Sequence, residues 1–324
     1  MCAPIEPKRY STSCVNNEST SRDGLQNETQ ILPPSIRAAF IQKLANAGLR
    51  HIEAGAFVSP RWVPQMAETD AVLKALPIRD GVTYSVLVPN EHGMAMAIEN
   101  GCREVAIFTA ASETFNRRNI NCSIDESLAR FEPVIAAAKD NGIRVRGYVS
   151  CVLGCPIDGA VPIANVVRVS KRLYHMGCYE ISLGDTIGAG VPSDVRNLVS
   201  ACAKEVPVEQ LAAHFHDTWG MAVANCLAAL EAGVRAFDSS VSGLGGCPYS
   251  PGATGNVATE DLVYLFEGMG LATGIDLESV VNAGDFADQY LGRKTASHVA
   301  RAWKATHEHA SSQYNNTTTN LEDK

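Results

Sequence analysis

Short apolar runs and helical patterns alternate along the chain from residue 49 to about residue 270. The runs LRHIEAGAF (49–57), VTYSVLV (82–88), EVAIFTA (104–110), IRVRGYVS (143–150), YEISLGD (179–185), QLAAHFHD (210–217) and VRAFDSSVS (234–242) predict strands. The segments between them include SIRAAFIQKLANAG, ESLARFEPVIAAAKDNG, PIANVVRVSKRLYHMG and GMAVANCLAALEAG, which predict helices. Each of these four ends on a glycine (Gly48, Gly142, Gly177, Gly233), the residue that best tolerates the left-handed turn closing a helix. Repeated strand–helix units imply a parallel sheet with right-handed crossovers. An eighth strand expected near residues 14–20 completes the count of a TIM (β/α)8 barrel. A doubly wound open sheet is the alternative, but it favours a Gly-rich phosphate turn after its first strand, and no G-x-G-x-x-G follows one here.

The boundaries expected from this pattern are a flexible leader over 1–13 and a barrel domain with a short C-terminal helical extension over 14–304. The polar segment 305–324, poor in apolar residues, is expected to be disordered. A chain of 324 residues accommodates one barrel of about 250 residues with extensions, or two domains of about 150.

Composition narrows the function. The chain is 46% hydrophobic, and no apolar run approaches the roughly 20 residues of a membrane span, so no membrane partner is expected. A formal net charge of -8 argues against a nucleic-acid groove, although local basic clusters can still bind a phosphorylated small molecule. Ten cysteines are scattered without a C-x-x-C pair, and Cys151 with Cys155 lacks the companion pair of a zinc ribbon. MCAPIEPKRYSTS has no apolar core of a secretory signal, and NLEDK is not a peroxisomal address. Reduced thiols and a cytoplasmic location are therefore expected, with a mitochondrial one left open.

In a barrel the C-terminal strand ends line the active site. Read in order, those ends carry Arg22–Asp23, Glu53, Asp185–Thr186, His214 to Asp217, and Asp238 through Cys247. Taken singly, Glu53 and Asp185 are as readily helix caps or ion-pair partners as catalytic acids. His214 and His216, two apart on a strand, project to the same side. That pair fits a polar core contact or a metal site; with a carboxylate such as Asp23, the set suits Mg²⁺ or Mn²⁺ better than structural zinc. SGLGGCPYSPGATGN (242–256) is either a flexible linker with an incidental thiol or a loop that brings Cys247 to a ligand.

These residues sit in longer motifs: RDGLQNE (22–28), FVSPRWVPQMAE (57–68), NRRNINCSIDES (116–127), RGYVSCVLGCP (146–156), GCYEISLGDTIG (177–188), HFHDTWG (214–220) and SSVSGLGGCPYSPGATGNVATEDLVYLFEG (239–268). In this order, over roughly residues 22–300, they closely resemble the 3-hydroxy-3-methylglutaryl-CoA lyases of the DRE-TIM metallolyase family. The resemblance implies a divalent cation, Mg²⁺ or Mn²⁺, held by Asp23, His214, His216 and Asn256. It implies that Arg22 stabilises an enolate-like charge and that Cys247 rides on a loop closing over the substrate. Glu53 and Asp185 match acidic residues of the family's active site. Ser182 matches a contact to the substrate carboxylate, and Asn119 lies in the segment facing CoA, with Arg117 and Arg118 beside it. The implied reaction is a retro-Claisen cleavage of an acyl-CoA in leucine degradation or ketone-body metabolism, by a homodimer; the base is left open among His214, Asp23 and a water they hold.

The chain also departs from the family. Where a strand of the type VKIVEVGP leads into the RDG motif, this sequence reads CVNNESTS (14–21), which keeps Glu18 but sets Asn16 and Asn17 at apolar barrel positions and Ser21 at a proline. A polar first strand is expected to cost core burial, about a few kcal/mol in total. Thr29 stands where a lysine is common and Ala56 where a serine usually contacts the substrate, which keeps a related hydroxyacyl-CoA open as an alternative substrate.

Overall fold

A computed structural model describes residues 14–246 and 255–307. The strands are β1 (Val15–Glu18), β2 (His51–Ala56), β3 (Thr83–Leu87), β4 (Glu104–Ala110), β5 (Arg144–Ser150), β6 (Glu180–Asp185), β7 (Leu211–Phe215) and β8 (Ala236–Ser239). They pair in parallel in chain order, and β8 returns to β1, closing the barrel. The helices are α1 (Pro34–Asn46), α2 (Thr69–Ala75), α3 (Glu91–Glu99), α4 (Glu113–Ile120), α5 (Ile124–Asp140), α6 (Ile163–Met176), α7 (Pro192–Cys202), α8 (Ala222–Glu231), α9 (Thr259–Gly268) and α10 (Leu277–Leu291). No helix among the described residues is long and apolar enough to cross a membrane.

Each predicted strand window contains an observed strand, and the eighth falls within 14–20 as expected. The four helix-ending glycines all have positive φ, from +66° at Gly142 to +115° at Gly177, which is why a residue without Cβ closes each helix. The long α5 opens on a reciprocal cap: Ser123 Oγ accepts from the Glu126 amide (3.1 Å), and Glu126 Oε2 accepts from the Ser123 amide (2.6 Å).

Two-residue alternation divides every strand between helix layer and barrel interior. Val145 and Val149 on β5, Ile181 and Leu183 on β6, Phe215 on β7 and Phe237 on β8 join one apolar cluster with the helices. The intervening positions point inward and are often polar: Arg146, Tyr148, Ser182, His214 and Asp238 are all buried. The extension closes the barrel's flank, where Val280, Ala283 and Ala287 of α10 share a cluster with Phe40, Ile41 and Leu44 of α1. A further helical stretch over 298–307 starts where the Asp261 carboxylate accepts from the Val299 amide (2.9 Å) and the Ser297 hydroxyl (2.7 Å).

The polar first strand divides its two asparagines. Asn17 faces the interior and donates its amide to Asp238 Oδ1 (3.1 Å), while Asn16, 5% exposed, keeps neither amide atom hydrogen-bonded among the described residues. A buried polar group without a partner destabilises by about 1–3 kcal/mol. Asn16→Val is therefore expected to raise unfolding stability by about that amount, read as a higher urea midpoint at unchanged slope; a lower midpoint would show that Asn16 has a partner worth keeping.

Candidate metal and lyase site

The end of β1 turns into a tight segment, Thr20–Gly24, in which the Ser19 carbonyl accepts from the amides of Arg22, Asp23 and Gly24 (3.1, 2.8 and 3.2 Å). That turn carries Arg22 and Asp23 to the barrel mouth. Glu18 anchors it from below: its Oε1 accepts from the Thr20 amide and hydroxyl and from the Val241 amide, and its Oε2 accepts from Thr259 Oγ1 (2.6 Å). Burial pushes the Glu18 carboxyl up to about 7, against the opposing pull of those donors.

Arg22 is clamped from three sides. Its Nε lies 2.7 Å from Glu53 Oε2 and its Nη1 2.8 Å from Asp23 Oδ1, while its guanidinium sits 5.2 Å from the Tyr148 ring centre. Burial opposes the charge on Arg22, yet Glu53 and Asp23 hold its pKa above the ordinary value, so the guanidinium is a fixed cation. Burial raises the Glu53 carboxyl despite Arg22. Asp23 is also desolvated, but the Arg22 guanidinium beside it holds its carboxyl below the usual range.

Ligating atoms of Asp23, His214 and His216 all lie within 4.8 Å of one another, and all three residues are buried. His214 Nε2 is 3.8 Å from Asp23 Oδ2. Asn256 joins them because its backbone pairs with His216 while its Nδ2 donates to Asp23 Oδ2 (2.8 Å). Its Oδ1 is buried without a hydrogen-bond partner among the described residues. An orphaned amide oxygen beside two imidazoles and a carboxylate fits a divalent cation: a half-turn of the amide exchanges its nitrogen for the oxygen a hard ion prefers.

Beneath these groups, four residues converge on the Asp238 carboxylate. Arg146 grips it with Nη1 to Oδ2 (2.9 Å) and Nη2 to Oδ1 (2.7 Å), and Arg146 Nε meets Glu180 Oε1 (2.6 Å). Ser182 Oγ donates to Oδ2 (2.7 Å), Asn17 reaches Oδ1, and His214 Nδ1 lies 3.2 Å from Oδ2. Burial alone would raise the Asp238 carboxyl, but the Arg146 guanidinium holds it well below the usual carboxylate range.

The glycine loop after β8 is shaped by close approach. A Cβ on Gly255 would come within 1.9 Å of the Gly243 carbonyl oxygen, and one on Gly245, at φ +118°, within 2.7 Å of Asn256 Nδ2. Ser242, at φ +61°, is held by its amide on both oxygens of Glu260 (3.0 and 3.1 Å) and by its hydroxyl on Asp288 (2.6 Å). Cys247 and residues 248–254 lie outside the described residues, as do residues 1–13 and 308–324; of the segment 305–324 expected to be disordered, residues 305–307 belong to the helical stretch over 298–307.

The structure thus brings Arg22, Asp23, Glu53, His214, His216 and Asn256 together. Asp185 turns instead to its own loop, its carboxylate accepting from the Ala189 (3.2 Å) and Gly190 (2.9 Å) amides. Ser182 is fully buried on Asp238. Asn119 is exposed on α4, beyond the end of β4, beside exposed Arg117. Ala56 is buried at the end of β2, its backbone bonded to Thr69 Oγ1, and Thr29 is exposed. Arg146, Tyr148 and the part played by Asp238 are not evident from the motifs. The spacing of Arg146 and Tyr148, two apart on β5, was the signal that both face inward.

Fold and site together define a TIM-barrel protein with a candidate divalent-cation centre at the mouth of the barrel. The chain belongs to the HMGL-like family, whose model matches residues 16–287. It is 62% identical over 290 residues to hydroxymethylglutaryl-CoA lyase of Pseudomonas mevalonii, covering 89% of this chain and 96% of that protein. Its fold is similar to the crystal structure of hydroxymethylglutaryl-CoA lyase from Pseudomonas aeruginosa (TM-score 0.90, 51% identity, 92% of this chain and 99% of that one). It is also similar to an HMG-CoA lyase from Acinetobacter baumannii in complex with coenzyme A and 3-methylmalate (TM-score 0.87, 34% identity, 91% and 96% covered).

Burial pushes the Glu260 carboxyl up to about 8, so the folded chain keeps a proton there that the unfolded chain, near 4.5, releases. Its stabilising contribution is complete below about pH 4.5 and is lost as pH rises through about 8. Glu260→Gln stays neutral throughout, so the Tm difference, variant minus parent, should become more positive from about pH 6 to about pH 9. A difference independent of pH would show that Glu260 ionises normally in the fold.

Proposed function

We infer that this protein cleaves 3-hydroxy-3-methylglutaryl-CoA to acetoacetate and acetyl-CoA as a metal-dependent carbon–carbon lyase. The observation that carries the reading is the buried meeting of Arg22 with Asp23, His214, His216 and Asn256 at the mouth of a barrel 62% identical to a lyase of that name. The cation, Mg²⁺ or Mn²⁺, would be held by those last four residues, and when bound it supplies Lewis acidity to the substrate's hydroxyl and carboxylate oxygens.

The bond that breaks joins C2 and C3 of the hydroxyacyl group. A base removes the C3 hydroxyl proton, the C3 oxygen becomes the ketone of acetoacetate, and the bonding electron pair passes to C2 of the thioester as an enolate. Arg22, a cation held rigid by Glu53, Asp23 and the Tyr148 face, offsets that charge without reorganising. Asp23, with its carboxyl held below the usual range, stays ionised as a ligand. Cys247 then returns a proton to C2, completing acetyl-CoA. Asp185 orders the loop after β6 around the substrate, Ser182 supports the same wall through Asp238, and Asn119 faces the CoA portion. The coenzyme A held by the A. baumannii relative supports an acyl-CoA ligand.

The same reading places the enzyme in leucine degradation, as a homodimer in the cytoplasm. Ala56, apolar at the end of β2 beside the site, favours one second reading, a related hydroxyacyl-CoA as substrate. A panel of thioesters ranked by kcat/KM separates the two.

Acetoacetate release from HMG-CoA should vanish on chelation and return with Mg²⁺ or Mn²⁺; release that survives chelation would overturn the metal-dependent reading. Arg22→Gln should lower kcat about 100- to 1,000-fold with little change in KM, because the lost interaction acts on charge formed in the transition state. Near-normal turnover in that variant would remove Arg22 from the chemistry.

A further inference from the structure

We propose that Asp238 is the positioning residue for His214, accepting a hydrogen bond from a protonated Nδ1 so that the Nε2 lone pair is presented to the cation. The proposal rests on the reading of Asp23, His214, His216 and Asn256 as cation ligands. A neutral imidazole carries one proton on two nitrogens, so whichever nitrogen donates leaves the other as the only ligating atom. Here the two nitrogens face different groups. Nδ1 lies 3.2 Å from Asp238 Oδ2, and Nε2 lies on the Asp23 side, 3.8 Å from Oδ2 of that residue. Asp238 can only accept, because Arg146 places an N–H on each of its oxygens.

The surroundings leave Asp238 little freedom to do anything else. It is 1% exposed on β8, directly paired with His214 of β7 and with Asn17 of β1 in the sheet register. Arg146 reaches it from β5 and Ser182 from β6, so five strands fix one carboxylate. The imidazole is bounded by Tyr148 edge-on (centres 5.8 Å, 78°) and by the His216 ring (5.5 Å). Asp238 thus lies one hydrogen bond behind the cation ligands, where a carboxylate sets both the tautomer and the plane of a ligating histidine. The Asn17 amide, on the polar first strand, adds a donor to the same carboxylate, so the unusual segment 14–21 is tied to His214 through one residue.

Two measurements on the full chain test this apart from catalysis. In ¹⁵N-histidine spectra of the metal-free protein at about pH 8, with the signals assigned by their loss in H214Q, His214 should show a proton-bearing Nδ1 and a pyridine-type Nε2. Added Mg²⁺ should shift Nε2 and leave Nδ1 protonated. A proton on Nε2, or a metal-induced shift at Nδ1, would overturn the proposal without any substitution at Asp238. In the second measurement, Asp238→Asn should raise the Kd for Mn²⁺ about 10- to 100-fold. In an H214Q background the same change should add less than about a twofold loss, because the residue it acts through is gone. An equal loss in both backgrounds means that Asp238 merely supports the barrel, and unchanged Mn²⁺ affinity in the single variant likewise overturns the proposal. If Mn²⁺ fails to bind the unsubstituted protein, the ligand reading itself falls, and this proposal with it.

Discussion

The site depends on charges held out of water and matched to one another. Taking an ion from water into a protein interior costs several kcal/mol unless opposite charge and hydrogen bonds replace the lost solvent. Asp238 and Arg146 meet that condition as a bidentate pair in the barrel's centre, and Arg22 meets it with Glu53 and Asp23 at the mouth. Tyr148 lies between the two guanidiniums, 5.2 Å from one and 4.8 Å from the other, so the two charged layers share a wall. Removing one partner of either pair would leave a buried charge uncompensated. This ties the shape of the site to the integrity of the barrel.

The same constraint accounts for the use of the first strand and of the segment after the eighth. Both meet at Glu18, which bonds to Thr20 in its own turn and to Val241 and Thr259 across the barrel seam. The turn that presents Arg22 and Asp23 is therefore locked to the backbone that leads toward Asn256. Glycine is used here for close approach: Gly255 runs against the Gly243 carbonyl, where no side chain fits. The polar residues at 16 and 17 have opposite consequences on the two faces of one strand. The inward amide finds a carboxylate, and the outward one finds no partner.

Much of the fold was legible in the chain because period and punctuation are local properties. Strand windows, helix windows and the glycines closing four helices follow from side-chain alternation and from the φ those turns require. Arg22, Asp23, Glu53, His214 and His216 could be placed at the mouth because each lies within a strand window or just beyond its C-terminal end. Asn256 was identified through family resemblance, and the pairing of its backbone with His216 supplies the physical account. Asp185 illustrates the limit: an acid at a strand end reads equally as a catalytic group or as a cap. Only the Ala189 and Gly190 amides at its oxygens show which contacts it makes.

By itself, then, the sequence determined the parallel eight-stranded order and the set of chemical groups available at the strand ends. Both are encoded by neighbours within a few turns of chain. The tertiary structure alone decided the partners: that Arg146 and Asn17, 129 positions apart, would converge on Asp238, and that His214 would turn Nδ1 inward and Nε2 toward Asp23. Those choices follow from closing the barrel, which sets β1, β5, β6 and β7 around the carboxylate on β8. No local pattern records which inward-facing side chains will meet across an interior, because their separation in space is fixed by strand register and closure rather than by distance along the chain.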